Sequence, residues 1–405
     1  MLDESLLDAP DALARADVRG LLRGAAESGA RVRTAARHAA EAGIGDLTPD
    51  GRPRAVLVAA PGPAGACIVD LLDALGGSGS PVTLISPTGV AAAPGALRWT
   101  LPGWAGPLDL LLVATPDGAE PGLPLLVEQA YRHGCSLVAV APAGSPLTGA
   151  VTQARGLTVP VAADRSGPYD AGSGPADPHG PGAGDPHGAY AAARPADGQD
   201  PAAHPGTLWS LLTPLLALAD RIGLVSAPPA ALLRVADRLD RVAERCGPAV
   251  ATYGNPAKAL ATELAEALTL VWTEGPVAAA AGRRFAGLLR GLAGRPALAA
   301  ELPEALAAHA ALLTGAFGGT ADPDDFFRDR VEEPEALRAR IVLVRDEPST
   351  ALSALPAARE LALARDTAVS ELEPDGGSAL DTAADLLATA DFAAVYLALA
   401  RADGR

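Results

Sequence analysis

The chain has 405 residues, 49% of them hydrophobic, and a formal net charge of −16 at pH 7. This length suggests two globular domains with residues left over for linkers, and the apolar content is enough for a large core. The negative charge disfavours nucleic-acid and acidic-membrane partners, because a phosphate surface requires a basic protein face.

The three cysteines, Cys67, Cys135 and Cys246, stand singly in apolar runs. They show neither the spacing of a metal site nor an even-numbered disulfide framework, so we expect buried, reduced thiols and no metal. The first residues lack the basic and apolar regions of a signal peptide, and the apolar stretches are broken before membrane-spanning length. We therefore expect a cytoplasmic protein without a membrane partner.

The first half begins with helical spacing from Asp11 to about Ala42. A continuous apolar run, Arg54–Ala60, then has the pattern of a strand buried on both faces. The turn Pro61–Gly65 and a helix at Ala66–Leu75 follow it.

The same unit then repeats, with strands at 82–85, 108–113 and 137–140 and a helix at Pro124–His133 closed by Gly134. Alternating strands and helices predict a doubly wound parallel sheet, in which ligands bind at the carboxyl ends of the strands. The loops Pro61–Gly65 and Thr115–Pro121 are the expected ligand-binding loops.

Residues 164–204 contain mainly Gly, Pro, Ala and Asp. Such a segment buries too little apolar surface to offset its ordering entropy, and we expect a disordered insert. Its repeated Asp-Pro-His-Gly units, at His179 and His187, fit low-complexity sequence better than a metal-binding tract. The insert divides the chain into domains at 1–163 and 205–405.

The second half repeats the α/β pattern. Its expected helices are Leu208–Ile222, Leu232–Cys246, a segment from Pro256 to Leu268, and Asp381–Ala400. Its expected strands are 249–253, 270–273 and 340–344.

Four segments of this half resemble the bifunctional phosphoglucose/phosphomannose isomerases, whose chains carry two SIS domains. One of them, Thr207–Leu224, matches the pattern of the linker helix of that family. Residues 391–399 resemble their closing D-x-x-S-x-Y-L-A-L helix, with Ala394 in place of the serine. Leu302-Pro303-Glu304 resembles their P-E-L-N-H-N-E segment, and residues 255–261 resemble the stretch after the first strand of their second domain.

The resemblance implies an α/β fold with two SIS-type doubly wound parallel-sheet domains flanked by helices. It also implies a sugar-phosphate ligand and a homodimer, for which the apolar helices Leu208–Ile222 and Asp381–Ala400 are candidate packing surfaces. No cofactor is expected, because Gly62-Pro63-Ala64-Gly65 lacks the third glycine of a dinucleotide-binding loop.

The phosphate loop departs from the family pattern S-x-S-G-N-T-x-E. The equivalent stretch, residues 114–120, keeps one neighbouring hydroxyl at Thr115, while Pro116 removes a backbone donor. Asp117 adds a negative charge, which would cost about 1–4 kcal/mol a few ångströms from a phosphate. The candidate ligand-binding residues are Gly62, Gly65, Thr115, Asp117 and Gly118. A helix N-cap is the alternative role for Asp117.

Catalysis in that family requires a glutamate base, a ring-opening histidine and an arginine. The arginine follows a proline before the linker helix, where this chain has Pro205-Gly206, and the base region, Arg290–Arg295, contains no carboxylate. Ala307 stands at the histidine position. The remaining catalytic candidates are Glu301, Glu304 and His309; the alternative is an exposed acidic helix start, with Glu301 and Glu304 on one face and a solvated histidine.

Two main functions remain open from the sequence, beside a third in which the pocket serves an unrelated neutral ligand. One is a sugar-phosphate-binding SIS protein with degenerate catalytic motifs, and the other is an active but divergent aldose–ketose isomerase. Outside the site, His133 is expected to interact with a helix C-terminus. Residues 324–330 form a mixed-charge run with two adjacent Phe residues, expected to be solvated or to bind a partner.

Overall fold

The computed structural model describes residues 2–89, 97–161, 204–314, 317, 337–346 and 352–401. The predicted disordered insert, apart from His204, and the mixed-charge run at 324–330 lie outside these residues. Helices open the chain where helical spacing was expected, but as separate pieces. They are α1 (Glu4–Leu7), α2 (Pro10–Ala16), α3 (Leu21–Ala26) and α4 (Ser28–Glu41).

A five-stranded parallel sheet follows, with strand order β2-β1-β3-β4-β5. Its strands are β1 (Val56–Ala59), β2 (Val82–Leu84), β3 (Leu110–Ala114), β4 (Ser136–Ala141) and β5 (Leu157–Pro160). The helices between them are α5 (Pro63–Gly76), α6 (Gly122–His133) and α7 (Pro146–Gln153). The first half is therefore the doubly wound parallel unit that its apolar runs predict, with β5 as an additional edge strand.

Three helices connect this sheet to the second one. They are α8 (Thr207–Arg221), α9 (Pro229–Cys246) and α10 (Pro256–Leu264). The predicted helix from Pro256 to Leu268 is too long, because the next strand already begins at Ala267.

The second sheet has four parallel strands in the order β7-β6-β8-β9. The strands are β6 (Ala267–Glu274), β7 (Ala297–Glu301), β8 (Arg338–Arg345) and β9 (Ala368–Leu372). The helices are α11 (Pro276–Gly291), α12 (Glu304–Ala308), α13 (Leu355–Ala364) and α14 (Ala379–Leu399). Two parallel-sheet α/β domains flanked by helices are therefore confirmed.

The strand predicted at 249–253 is wrong. A short 3₁₀ turn forms at Thr252–Gly254 instead. The backbone groups that a strand would pair are used by side chains. The Nζ of Lys258 donates to the carbonyl oxygens of Pro248 and Val250 at 2.8 and 2.7 Å, and the Thr252 N–H donates to Asp8 at 2.8 Å.

Lys258 is the only lysine of the chain and is fully buried. Its ammonium also lies 5.4 Å from the centre of the Tyr396 ring, a cation–π distance. Burial lowers the pKa of Lys258. The two carbonyl bonds and the ring replace the water that a buried ammonium loses.

The closing helix α14 lies in the core. It is the one helix of the described residues that is long and apolar enough to cross a membrane, yet 89% of its most apolar window is buried inside the protein. Arg284 of α11 and Asp391 of α14 form a fully buried two-bond ion pair at 3.0 and 2.9 Å.

The two helices expected to pack in a dimer are α8 and α14, and both bury most of their residues within this one chain. That part of the prediction is wrong, since a helix enclosed by its own chain has little surface left for a second copy. The three cysteines are buried and free, as expected. Burial raises the pKa of Cys67 to about 12, so this thiol stays protonated.

Candidate functional site

The first sheet has a crevice where its strand order reverses. β1 and β3 are neighbours, with Ala59 opposite Val113, but the chain leaves them toward opposite sides of the sheet. In such sheets the crevice between the two carboxyl ends is the usual ligand site. The two predicted loops, Pro61–Gly65 and Thr115–Pro121, border this crevice.

The amino end of α5 forms one wall of the crevice. Gly62 has a φ of 73°, which favours glycine, and Pro63 occupies the first helical position. Among the described residues no side chain accepts a hydrogen bond from the first turn of α5, where the Gly65 N–H makes only a long bond of 3.4 Å to the Gly62 carbonyl oxygen. A Cβ at Gly65 would lie 2.5 Å from the carbonyl oxygen of Ala60, so only glycine lets the helix come this close to β1. Helix N–H groups in this position are suited to an anion.

The loop after β3 forms the other wall and satisfies its own polar groups. The buried Thr115 hydroxyl donates to Asp117 Oδ1 at 2.8 Å and accepts from the Gly118 N–H at 3.1 Å. Asp117 is exposed and also accepts from the Ala119 N–H at 3.1 Å. Because α6 begins only at Gly122, the alternative role of Asp117 as its N-cap is wrong. Asp117 shapes the loop.

A polar cleft that was not predicted from the sequence adjoins this loop. Gly118 packs against Ser145, whose hydroxyl caps α7 by accepting from the Thr148 N–H at 3.3 Å. The open cleft beyond them has a volume of about 570 Å³. Its polar lining includes Ser145, Thr148, Thr152, Gln153 and Thr158. The capping pattern Ser145-Pro146 was a usable signal, since Ser before Pro typically opens a helix.

The catalytic candidates of the second domain lie near the end of β7. Glu301 is the last residue of this strand, whereas Glu304 begins the short helix α12. The expectation that the two share a helix face is therefore wrong. Glu301 accepts from Arg283 Nη1 at 2.8 Å, and the same guanidinium donates to Asp70 of the first domain through Nε at 2.8 Å. Glu304 is exposed.

His309 caps the carboxyl end of α12 and is buried, with 8% of its surface exposed. The expectation of a solvated histidine is wrong. Trp272 donates its Nε1–H to His309 Nδ1 at 2.8 Å. Burial lowers the pKa of His309, which favours the neutral ring. An indole N–H can only donate, so Nδ1 is the accepting nitrogen and the neutral ring carries its proton on Nε2.

The structure does not assemble an acid–base pair from these groups. Among the hydrogen bonds of the described residues, Glu301 is joined to Arg283 and His309 to Trp272, and none joins Glu301 or Glu304 to His309. His133, at the end of α6, contacts the carbonyl oxygen of Ala105 at 3.0 Å. The described part of the chain contains no group of three or more His, Cys, Asp or Glu side chains that could hold a metal ion.

Residues 254–402 match the family of bacterial phospho-glucose isomerase C-terminal SIS domains. This segment, which contains the second sheet, is a divergent SIS domain of that family. The resemblance predicted from the closing helix and its neighbouring motifs is thereby confirmed. No curated protein sequence matches the chain.

Solved structures share the SIS fold across both domains. A Clostridium difficile protein assigned as a phosphosugar isomerase has a TM-score of 0.54 at 9% identity, over 94% of this chain and 93% of its own. The tagatose-6-phosphate ketose/aldose isomerase of Escherichia coli has a TM-score of 0.53 at 13% identity, over 94% and 91%. A Salmonella typhimurium protein assigned as sugar-binding has a TM-score of 0.52 at 10% identity, over 92% and 98%. At these identities the likeness concerns the fold alone.

Proposed function

We propose that this SIS protein binds a sugar phosphate, or a closely related phosphorylated small molecule, in the crevice of its first sheet and does not isomerise it. The observation that carries the proposal is the open amino end of α5. There Gly62 and Gly65 bring helix N–H groups to the point where the strand order reverses, and among the described residues no side chain accepts a hydrogen bond from the first-turn N–H groups of α5.

The second wall of the crevice supports binding of the sugar rather than of a strong dianion. Asp117 would repel a phosphate, but its Oδ1 already accepts two hydrogen bonds from the loop. The hydroxyl-bearing cleft next to Ser145 is neutral and suits sugar hydroxyls. We therefore place the phosphate at the α5 end and the sugar toward Thr115, Gly118 and the cleft.

The absence of turnover follows from the surroundings of the remaining acid–base groups. Glu301 is held by Arg283, and the accepting lone pair of His309 is held by Trp272. Nδ1 of His309 is therefore not available to accept a proton from a sugar, and Glu301 is held toward Arg283 rather than toward His309. Pro205-Gly206 also lacks the arginine that active relatives carry there. General acid–base groups each contribute about 10²–10⁴-fold, so losing them together leaves little activity.

We propose the cellular location and the assembly of the protein on the same basis. We expect a cytoplasmic homodimer that works without a cofactor and without a nucleic-acid partner. The mass in light scattering at micromolar concentration tests the dimer, and a monomer would contradict it.

Two measurements on the purified full chain test the function. Thermal unfolding with fructose-, glucose- and mannose-6-phosphate should show stabilisation that the unphosphorylated sugars do not give, since a ligand at a hundred times its Kd adds about 2.7 kcal/mol. A coupled assay with fructose-6-phosphate should show no turnover. Stabilisation by none of these compounds would overturn the binding proposal. Turnover that His309→Ala abolishes would establish the alternative, a divergent active isomerase.

A further inference from the structure

The second sheet repeats the architecture of the first crevice. Its strand order also reverses between two central neighbours, β6 and β8, with Glu274 opposite Arg345. After β6 the chain runs through Gly275 and Pro276 into α11, as it runs after β1 through Gly62 and Pro63 into α5. Both glycines have a positive φ, 101° at Gly275 and 73° at Gly62. The two helix ends are thus equivalent, and both are placed to receive an anion.

In the second crevice a carboxylate side chain of the protein itself occupies this position. Asp346 is the first residue after β8, and its Oδ2 accepts from the N–H groups of Val277 and Ala278 at 2.7 and 3.2 Å. Its other oxygen lies over Gly275, where a Cβ would collide with the carboxylate. The equivalent residue after β3 is Thr115, whose hydroxyl turns back into its own loop.

We propose that Asp346 is a built-in anionic ligand that closes the second crevice and leaves small-molecule binding to the first domain. The charge of Asp346, its hydrogen bonds and its contact with Gly275 all support this proposal. The carboxylate occupies the first-turn N–H groups that an external phosphate would need, and its charge repels one. This holds whether or not the first crevice binds a sugar phosphate.

A second carboxylate fixes the same closed arrangement. Glu274, the last residue of β6, accepts from the Ser353 hydroxyl at 2.7 Å and from the Ala354 N–H at 2.6 Å. The chain that leads into α13 is thereby tied to the rim of the crevice. Both carboxylates at this edge are thus committed to contacts within the protein.

Rescue by inorganic phosphate tests the proposal. Asp346→Ala removes the charge and opens the space, so we expect the Tm of the full chain to fall by about 1–3 °C in chloride. Phosphate at equal ionic strength should restore more than half of that loss, beyond any shift it gives the wild type. Asp346→Asn loses charge but still fills the crevice, so phosphate should not restore it. Asp346→Ser, which keeps a small capping group and leaves room, provides the same readout if the alanine variant does not fold.

The matched control is Asp381→Ala, which removes a capping carboxylate at the start of α14 and away from any strand-order reversal. Its loss of stability should not be restored by phosphate. Rescue of Asp346→Ala and Asp346→Ser no greater than that of the control or of the wild type would overturn the proposal. Failure of the sugar-phosphate experiment on the wild type would leave this comparison unaffected, so the two proposals fail separately.

Discussion

Both sheets of this protein have a crevice where their strand order reverses, but a side chain of the protein fills only the second one. In the first domain no side chain of the described residues takes the first-turn N–H groups of α5, and the side chains of Thr115 and Asp117 form their hydrogen bonds within their own loop. In the second domain Asp346 crosses the crevice and takes the equivalent N–H groups of α11. The same fold can therefore form one domain that binds a ligand and one domain that supports the structure, and the residue that follows one strand decides between the two roles.

The packing around the second crevice indicates that the second domain supports the first. α11 is joined to the closing helix by the buried Arg284–Asp391 pair, and one continuous apolar core includes both domains. At the position seven residues after each helix proline, Asp70 of α5 and Arg283 of α11 form an ion pair across the domains. The second domain thus holds the first in place.

Breaking the buried ion pair should have the largest effect. Arg284→Met leaves the Asp391 carboxylate buried without its partner, and we expect the free energy of unfolding to fall by about 3–5 kcal/mol. Urea denaturation should still show one transition, because the domains share a core. The double variant Arg284→Met/Asp391→Leu is the control and should recover most of the loss. Two separate transitions would show that the second domain does not support the first.

A smaller effect is expected from closing the first crevice sterically. Gly65→Ala places a Cβ against the Ala60 carbonyl, so α5 must move away from β1 at a cost of about 1–2 kcal/mol. The stabilisation by sugar phosphates should disappear in the same variant. The equivalent residue of the second domain is Ala278, and Ala278→Gly should leave that stabilisation unchanged. Equal ligand response in both variants would contradict an open first crevice and a closed second one.

The smallest effect concerns pH. Burial lowers the pKa of His309, so below pH 6.5 the unfolded chain binds a proton that the folded protein excludes. The stability associated with the neutral ring is complete above pH 6.5 and is lost as pH falls toward the folded pKa. From pH 7 to 5 we expect wild type to lose about 1 kcal/mol more than His309→Gln, which does not titrate. If urea denaturation shows the same loss of stability for wild type and His309→Gln, then His309 is solvated.

Much of the fold could be predicted because buried parallel strands are continuous apolar runs. Val56–Ala59 and Leu110–Ala114 are of this kind. The edge strands Ala297–Glu301 and Ala368–Leu372 are partly exposed and contain polar residues, so they lack that signal. The false strand at 249–253 had the apolar pattern, but the side chain of Lys258 takes the carbonyl group of Val250 in this segment.

The site was harder to predict, because its decisive contacts join residues far apart in sequence. Gly62 and Gly65 could be predicted from the sequence, because they lie in the turn that follows a strand. The bond from Trp272 to His309 spans 37 positions, and that from Val277 to Asp346 spans 69. No local pattern marks either contact. Glu301 was assigned to a helix because its strand, rich in alanine, has no β-forming bias.

The burial of Lys258 has a practical consequence for chemical labelling. Because this is the only lysine and it is enclosed by two carbonyl groups and the Tyr396 ring, amine-directed acylating reagents meet no accessible lysine side chain in the native protein. Acylation at Lys258 would require the segment around α10 to open. Its rate, followed by mass spectrometry, would therefore report the local opening of the folded chain at a single natural position.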